Sequence, residues 1–219
     1  MLKKCLRLGA CLLPALLVVG CATQQAPYDY TAFKQAKPRS IVVLPPLNNS
    51  PDLKATYSML SQVTHPLAEA GYYVLPVAVV DETFKQNGLT SGADIHAVAP
   101  AKIQEIFGAD AALYITVSKY GTSYQVIDSV TAVTADARLV DLKTGTVLWT
   151  GAASASSNEG GNNGGNLLGA LITAAVKQII NTTTDASHPL AGVASARLLS
   201  GGLNNGLLYG PRSVNYSKN

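Results

Sequence analysis

Ser40-Ile41-Val42-Val43-Leu44, halted by Pro45-Pro46, and Tyr72-Tyr73-Val74-Leu75, set between Gly71 and Pro76, decide the fold. The first is a continuous apolar run rich in β-branched residues and bounded by breakers, which reads as a strand buried on both faces. The second repeats the pattern with aromatics. Between them Asn48-Asn49-Ser50-Pro51-Asp52 reads as a loop. Leu53, Tyr57, Leu60, Val63 and Leu67 then recur at spacings of three and four, one apolar stripe along a helix. Pro66 interrupts that helix, so a restart is expected there with Thr64 as its cap, and Gly71 closes it as a C′ glycine. Strand, helix and strand in so short a span form a βαβ unit, whose two strands run parallel.

Working outward, Val77 to Gln86 predicts a helix stopped by Asn87-Gly88, and Thr90 to Asp94 a loop. Pro100 to Phe107 predicts a further helix, ended by Gly108. Asp110 opens a strand through Tyr120, with Leu113, Ile115 and Val117 on one side and Ala112, Tyr114 and Thr116 on the other. Gly121-Thr122 reads as a turn, Ser123 to Val140 as one long strand, and Asp141 to Gly145 as a turn into a strand from Thr146 to Ser154. The fold class expected is therefore α/β (α+β): a mixed sheet in which a parallel βαβ unit is followed by an antiparallel meander, with helices on the faces. Ser156 to Asn166 is a glycine- and asparagine-rich loop. Leu167 to Ile180 is apolar enough for a buried helix and too short for a membrane span, and His188-Pro189 opens a last helix to about Leu199.

The amino-terminal stretch carries a different message. Lys3, Lys4 and Arg7 precede an apolar run from Leu8 to Val19, and Val18-Val19-Gly20-Cys21 closes it. Basic, then apolar, then small is the layout of a secretory signal, and its ending resembles a bacterial lipobox. Cleavage after Gly20 would leave Cys21 as the acylated residue, its thiol carrying a palmitate-like chain. Leu8-Gly9-Ala10-Cys11 spells a second lipobox, but cutting there leaves almost no apolar region after Arg7. Ala22 follows Cys21, where an aspartate would be the familiar signal for inner-membrane retention, so by that resemblance the destination is the outer membrane of a Gram-negative envelope. The division expected is residues 1–20 signal, 21–37 lipidated tether and 38–219 a single periplasmic α/β domain with its glycine/asparagine loop at 156–166. The tether has two readings: a spacer that lifts the domain off the membrane, or a segment whose Tyr28, Tyr30 and Phe33 pack on the domain or on a neighbouring subunit.

Removing the signal changes the totals. The chain of 219 residues falls to 199, and three of its sixteen bases leave while all thirteen acids stay, so the mature charge is zero. The basic balance that would have hinted at nucleic acid belongs to the signal alone. Of three cysteines only Cys21 remains, so no internal disulfide can form.

Catalytic patterns are missing. The Gly-x-Ser-x-Gly elbow does not occur, and His65, His96 and His188 each stand alone beside a loop or a proline. No His/Cys spacing suits zinc. Asp81-Glu82 has the look of capping acids at a helix start rather than a cation site. The Gly160–Gly165 loop precedes a helix but lacks the Lys-Ser/Thr of a P-loop. There is no basic aromatic array for nucleic acid. The expectation is no catalytic residue, no cofactor and no metal.

Four segments occur in a recognisable order: Ser40 to Pro46, Leu67 to Leu75, Phe107-Gly108-Ala109-Asp110-Ala111, and Val140-Asp141-Leu142-Lys143-Thr144-Gly145-Thr146-Val147-Leu148-Trp149. In these the chain resembles the neisserial GNA-type lipoprotein family, which has no assigned function. Over about residues 38–155 its core is similar to the amino-terminal domain of TolB, to the curli-secretion lipoprotein CsgG and to LpoB, the lipoprotein activator of a penicillin-binding protein. The resemblance implies a mixed sheet used for protein contacts in the periplasm. It implies a non-enzymatic outer-membrane lipoprotein that meets other envelope proteins, as a secretion or transport accessory, or alternatively an activator of a cell-wall synthesis enzyme. An export role implies a homo-oligomeric ring, whereas an activator works as a single copy. A membrane barrel is not expected, because Asp128, Asp136 and Arg138 break the outward apolar band it would need.

Overall fold

The structure is a computed structural model that describes residues 26–124, 129–159 and 186–219. Six strands form one mixed sheet: β1 (Ser40–Val43), β2 (Leu47–Asn48), β3 (Tyr73–Val74), β4 (Ala111–Tyr124), β5 (Ser129–Asp141) and β6 (Val147–Ser156). Their order is β3-β1-β4-β5-β6, with β2 also paired to β4. As the βαβ reading requires, β1 runs parallel to β3, with Ser40 opposite Tyr73. β4, β5 and β6 form the antiparallel meander.

Both β1 and β2 lie parallel to β4, but Val43 pairs with Leu113 and Leu47 with Thr116, so four steps on one side match three on the other. The extra residue falls at Pro45-Pro46. A proline has no N–H to give to the ladder, so the strand bulges there before resuming. Asp110 clamps the start of β1: its Oδ2 accepts from the N–H groups of Arg39 (2.9 Å) and Ser40 (3.0 Å), while its own N–H donates to Ser40 Oγ at 2.9 Å.

Helices cover the two faces unequally. On one face lie α1 (Thr31–Ala36), α2 (Ala55–Gln62), α3 (Thr64–Glu69) and α7 (Ser187–Leu199). They bury Phe33, Met59, Leu67, Leu190 and Leu198 against Ile41, Val43, Leu113, Ile115, Leu139 and Trp149. On the other lie α4 (Val77–Gln86), α5 (Gly92–His96) and α6 (Pro100–Phe107). These bury Val80, Phe84, Ile95 and Ile103 against Val42, Leu44, Ala112, Tyr114 and Val140. The expected split of odd and even positions along β4 is seen from Ala111 to Val117.

Four local expectations are corrected. Leu53 and Tyr57 are 88% and 49% exposed; the helix starts at Ala55, and Ala55 and Met59 join the expected Leu60, Val63 and Leu67 in the buried stripe. The helix does restart near Pro66, which has no N–H for the carbonyl of Gln62, but Thr64 sits inside α3 and no side chain caps it. Thr90 to Asp94 is only partly loop, since Ser91 accepts from Asp94 N–H and starts α5. Gly121-Thr122 is not a turn. β4 bulges at Ser118, which turns Tyr120 toward the first core, and continues to Tyr124 with Gly121 opposite Ala132. Gly121 sits there at φ +115°, and Thr122 meets Thr131 hydroxyl to hydroxyl at 2.8 Å. The long strand read from Ser123 is therefore two arms of one hairpin.

Of the two readings of the amino-terminal segment, packing on the domain describes residues 26–37. Tyr28 N–H donates to Asn205 Oδ1 (2.9 Å), Asn205 Nδ2 to Ala26 C=O (3.0 Å), and Tyr30 O–H to Gly206 C=O. Phe33 is buried in the core, which contributes about 2 kcal/mol for a fully buried aromatic side chain.

Candidate interaction surface

Helices α4, α5 and α6 stop short of the meander. The face of β5 and β6 on their side is left to Asp136, Arg138, Thr150, Ala152 and Ser154, all exposed. Where α5 ends beside this open face, a cavity of about 660 Å³ is lined by Leu47, His96, Tyr114, Thr116, Asp136, Arg138 and Thr150. The strand pairing makes it: Thr116 faces Asp136, and Arg138 lies between Tyr114 and Thr150.

Its polar groups are pre-set. The Arg138 guanidinium lies 4.4 Å from the Tyr114 ring centroid, a cation–π contact that holds it in place. The His96 ring meets Tyr114 edge-on at 5.2 Å, and its Nε2 lies 3.0 Å from the Pro45 carbonyl, so that nitrogen carries the proton. Burial is the main cause that holds the His96 pKa below the ordinary histidine range; the Pro45 bond opposes it and Arg138 reinforces it. His96 is thus neutral at neutral pH, with Nδ1 left as an acceptor. Burial also raises the Tyr114 phenol, against the pull of Arg138, so it stays protonated. A fixed guanidinium, a carboxylate and hydroxyls around an open groove suit recognition. No nucleophile is bonded to a base among them.

The outer edge of β6 borders this face. At one end it is closed: Arg197 Nη1 donates to the Ser154 carbonyl (2.6 Å), and Ser156 N–H donates to Glu159 Oε1 (2.8 Å). Arg197 grips both Glu159 oxygens at 2.7 and 2.6 Å, and those bonds, more than any other cause, hold the Glu159 pKa below the usual carboxylate range. At the other end Thr150, Gly151 and Ala152 border a second cavity of about 520 Å³, between Tyr28, Asp29 and Asn205.

One pairing has the look of a catalytic dyad. Ser58 Oγ lies 2.8 Å from His188 Nδ1, and the Gln62 amide sits 2.9 Å from Nε2. Ser58 is only 8% exposed, already accepts from Tyr120 O–H at 2.8 Å, and lines neither cavity. The histidine's far nitrogen meets an amide where a nucleophilic triad has a carboxylate. The cluster pins α2, β4 and α7 together. Hence two of the three histidines are not isolated. Their partners lie 51 residues away for His96 and 130 for His188, which no local spacing reveals. Asp81 and Glu82 are also reassigned: they lie inside α4, where Asp81 pairs with Lys85 at 2.6 Å and Glu82 accepts from Gln86 at 3.0 Å.

Among the described residues no group of three metal-ligating side chains converges, and no helix is long and apolar enough to cross a membrane. Gly20, Cys21, the Gly160–Gly165 loop and the helix read at Leu167–Ile180 lie outside the described residues.

The family model described as "Putative lipoprotein GNA1162-like" matches residues 28–212. A relative from Neisseria meningitidis serogroup B, "Putative lipoprotein NMB1124/NMB1162", is 56% identical over 205 residues, covering 91% of this chain and 93% of that one. The crystal structure of lipoprotein GNA1162 from Neisseria meningitidis superposes with a TM-score of 0.54 at 60% identity, over 66% of this chain and all of that one. The LpoB C-terminal domain from Salmonella enterica has a TM-score of 0.39 at 20% identity, over 54% of this chain and 82% of that one. With the match running from Tyr28, on the packed amino-terminal segment, to Arg212 beyond α7, this chain belongs to the GNA1162-like lipoprotein family.

Proposed function

We propose that this protein is a non-enzymatic outer-membrane lipoprotein, anchored through acylated Cys21, that works by contact with other envelope proteins as a secretion or transport accessory. The observation that carries this reading is the uncovered face of β5 and β6, with Arg138 pre-set over Tyr114 and, beside it, the β6 edge, which among the described residues pairs with no further strand. An open sheet edge next to an open face suits a partner that adds a strand and rests side chains in the groove. The groups there lack the nucleophile–base geometry an enzyme would need.

The test is site-specific photocrosslinking in cells, with the crosslinker placed at Asp136 or Thr150 and, as a control, at Lys102 on α6. The expected result is a discrete adduct from the first two positions and none from the third. An adduct of twice the chain mass would make the partner a second copy. Equal adducts from all three positions, or none from Asp136 and Thr150, would overturn the reading.

A further inference from the structure

The carboxy-terminal segment, from Leu207 to Asn219, runs along the β3 end of the sheet. Gly210 N–H donates to the Ala70 carbonyl (2.8 Å) and Arg212 N–H to the Gly71 carbonyl (3.1 Å). There the Arg212 guanidinium sits 5.2 Å from the Tyr73 ring centroid. The same segment meets α1 across a mainly apolar groove of about 240 Å³, lined by Phe33, Lys34, Lys37, Leu208, Tyr209 and Tyr216. Tyr73, Tyr216 and Val214, the last 95% exposed, are three of the large apolar side chains at the surface.

Charge is distributed to match. Residues 30–40 and 207–219 hold Lys34, Lys37, Arg39, Arg212 and Lys218 and no acid. Elsewhere after Cys21 eight bases stand against all thirteen acids, so the remainder of the mature chain is net −5. The acids at the margin are Asp29, just before α1, Glu69, at the end of α3, and Asp110, whose Oδ2 lies 3.7 Å from Arg39 Nε. Exposed aromatics set among cations are the composition of a surface that meets lipid headgroups: rings at the polar–apolar boundary, cations on phosphates.

We infer that this face, built from α1 and the carboxy-terminal segment, rests on the anionic phospholipid surface of the membrane that holds the anchor. The inference depends on reading Cys21 as the acylated residue. Five peptide steps separate Cys21 from Ala26, at most about 18 Å of chain. Ala26 is itself bonded to Asn205, two residues before Leu207. The anchor therefore leaves the domain beside this face, on a lead that keeps the face within about 18 Å of the bilayer. Lipid attachment localises the protein, and the basic face sets which way the open β5–β6 surface points.

The test uses the mature chain with Cys21→Ser, so that acyl insertion does not mask the weaker contact. It is sedimented with vesicles of phosphatidylcholine alone, or of phosphatidylcholine mixed with phosphatidylglycerol, at low and high salt. Partition is expected to rise with phosphatidylglycerol and to fall with salt. Each cation near an anionic leaflet is worth on the order of a fivefold gain, so Lys34→Glu with Lys37→Glu should cost at least about 25-fold. Lys102→Glu with Lys143→Glu, both surface positions outside the two segments, should have a far smaller effect, and circular dichroism checks that each variant is folded. Equal partition to both vesicle types, or equal losses in the two double variants, would overturn the inference. So would indifference to vesicles together with sedimentation on cell-wall sacculi. Acylation of Cys21 is read separately, from the mass of the protein extracted from cells, so failure of the anchor reading and failure of the surface reading give different results.

Discussion

The two faces of this sheet were built to different standards of closure. On the α2/α7 face every strand of the meander is sealed: Leu113, Leu139 and Trp149 are buried across three neighbouring strands. On the α4–α6 face the seal covers β1, the first half of β4 and Val140 near the end of β5 and then stops, leaving Asp136, Arg138 and Thr150 to solvent. A sheet of this size needs only one fully covered face to be stable. The second is free to carry side chains chosen for something other than packing. β4 shows the transition along a single strand, buried on both sides from Ala111 to Ile115 and exposed at Ser118 and Lys119.

Three measurements would break or sharpen that contrast. The largest effect is expected on the sealed face. Trp149→Ala removes a buried indole whose Nε1–H donates to the Asn205 carbonyl (3.2 Å). It should cost about 3–5 kcal/mol, and a thermal melt should shift down by about 10 °C. A shift of only a degree or two would mean that this face is not the stabilising one.

The next lies on the β6 edge. Glu159→Gln breaks the bidentate pair with Arg197 and should cost about 2 kcal/mol at neutral pH, the scale for a hydrogen bond to a charged group. Because the folded-state pKa of Glu159 is depressed, its contribution is present in full above the ordinary glutamate range and is lost as the pH falls through the folded value. The wild-type and Glu159→Gln stability curves against pH should therefore converge on the acid side. Curves that stay parallel to low pH would show that the pair closes nothing.

The smallest effect belongs to the open face. Arg138→Gln should cost about 0.5–1 kcal/mol, the scale of an exposed cation–π contact, while abolishing the crosslink from Thr150. A large loss of stability with the crosslink intact would reverse the roles assigned to the two faces.

What was legible in the sequence follows the same division. Ile41 to Leu44, the glycines at 71, 88 and 108, and the alternation from Ala112 to Val117 announce their structure because burial and backbone strain act locally. Ser118 gives no such notice: a bulge is a property of the pairing with Thr134 and Ala135, so the sequence suggests a turn at Gly121, eight residues before the hairpin's second arm begins at Ser129. Leu53 misled for a related reason, since an apolar spacing marks a stripe only where a helix exists, and this one begins at Ala55. The groove around Arg138 was out of reach altogether. It is assembled from α5, β2, β4, β5 and β6, and its members are ordinary residues until the register aligns Tyr114, Arg138 and Thr150.

The bonds between Ala26, Tyr28 and Asn205 also bear on time. Tyr28 waits for an acceptor 177 residues further along the chain. Closing so long a loop is slow, and its partner does not exist until nearly all of the polypeptide has emerged. The first residues of the domain are thus the last to be fastened, and on the anchor reading proposed above a chain crossing the inner membrane would stay open at its leading end until translocation is almost finished.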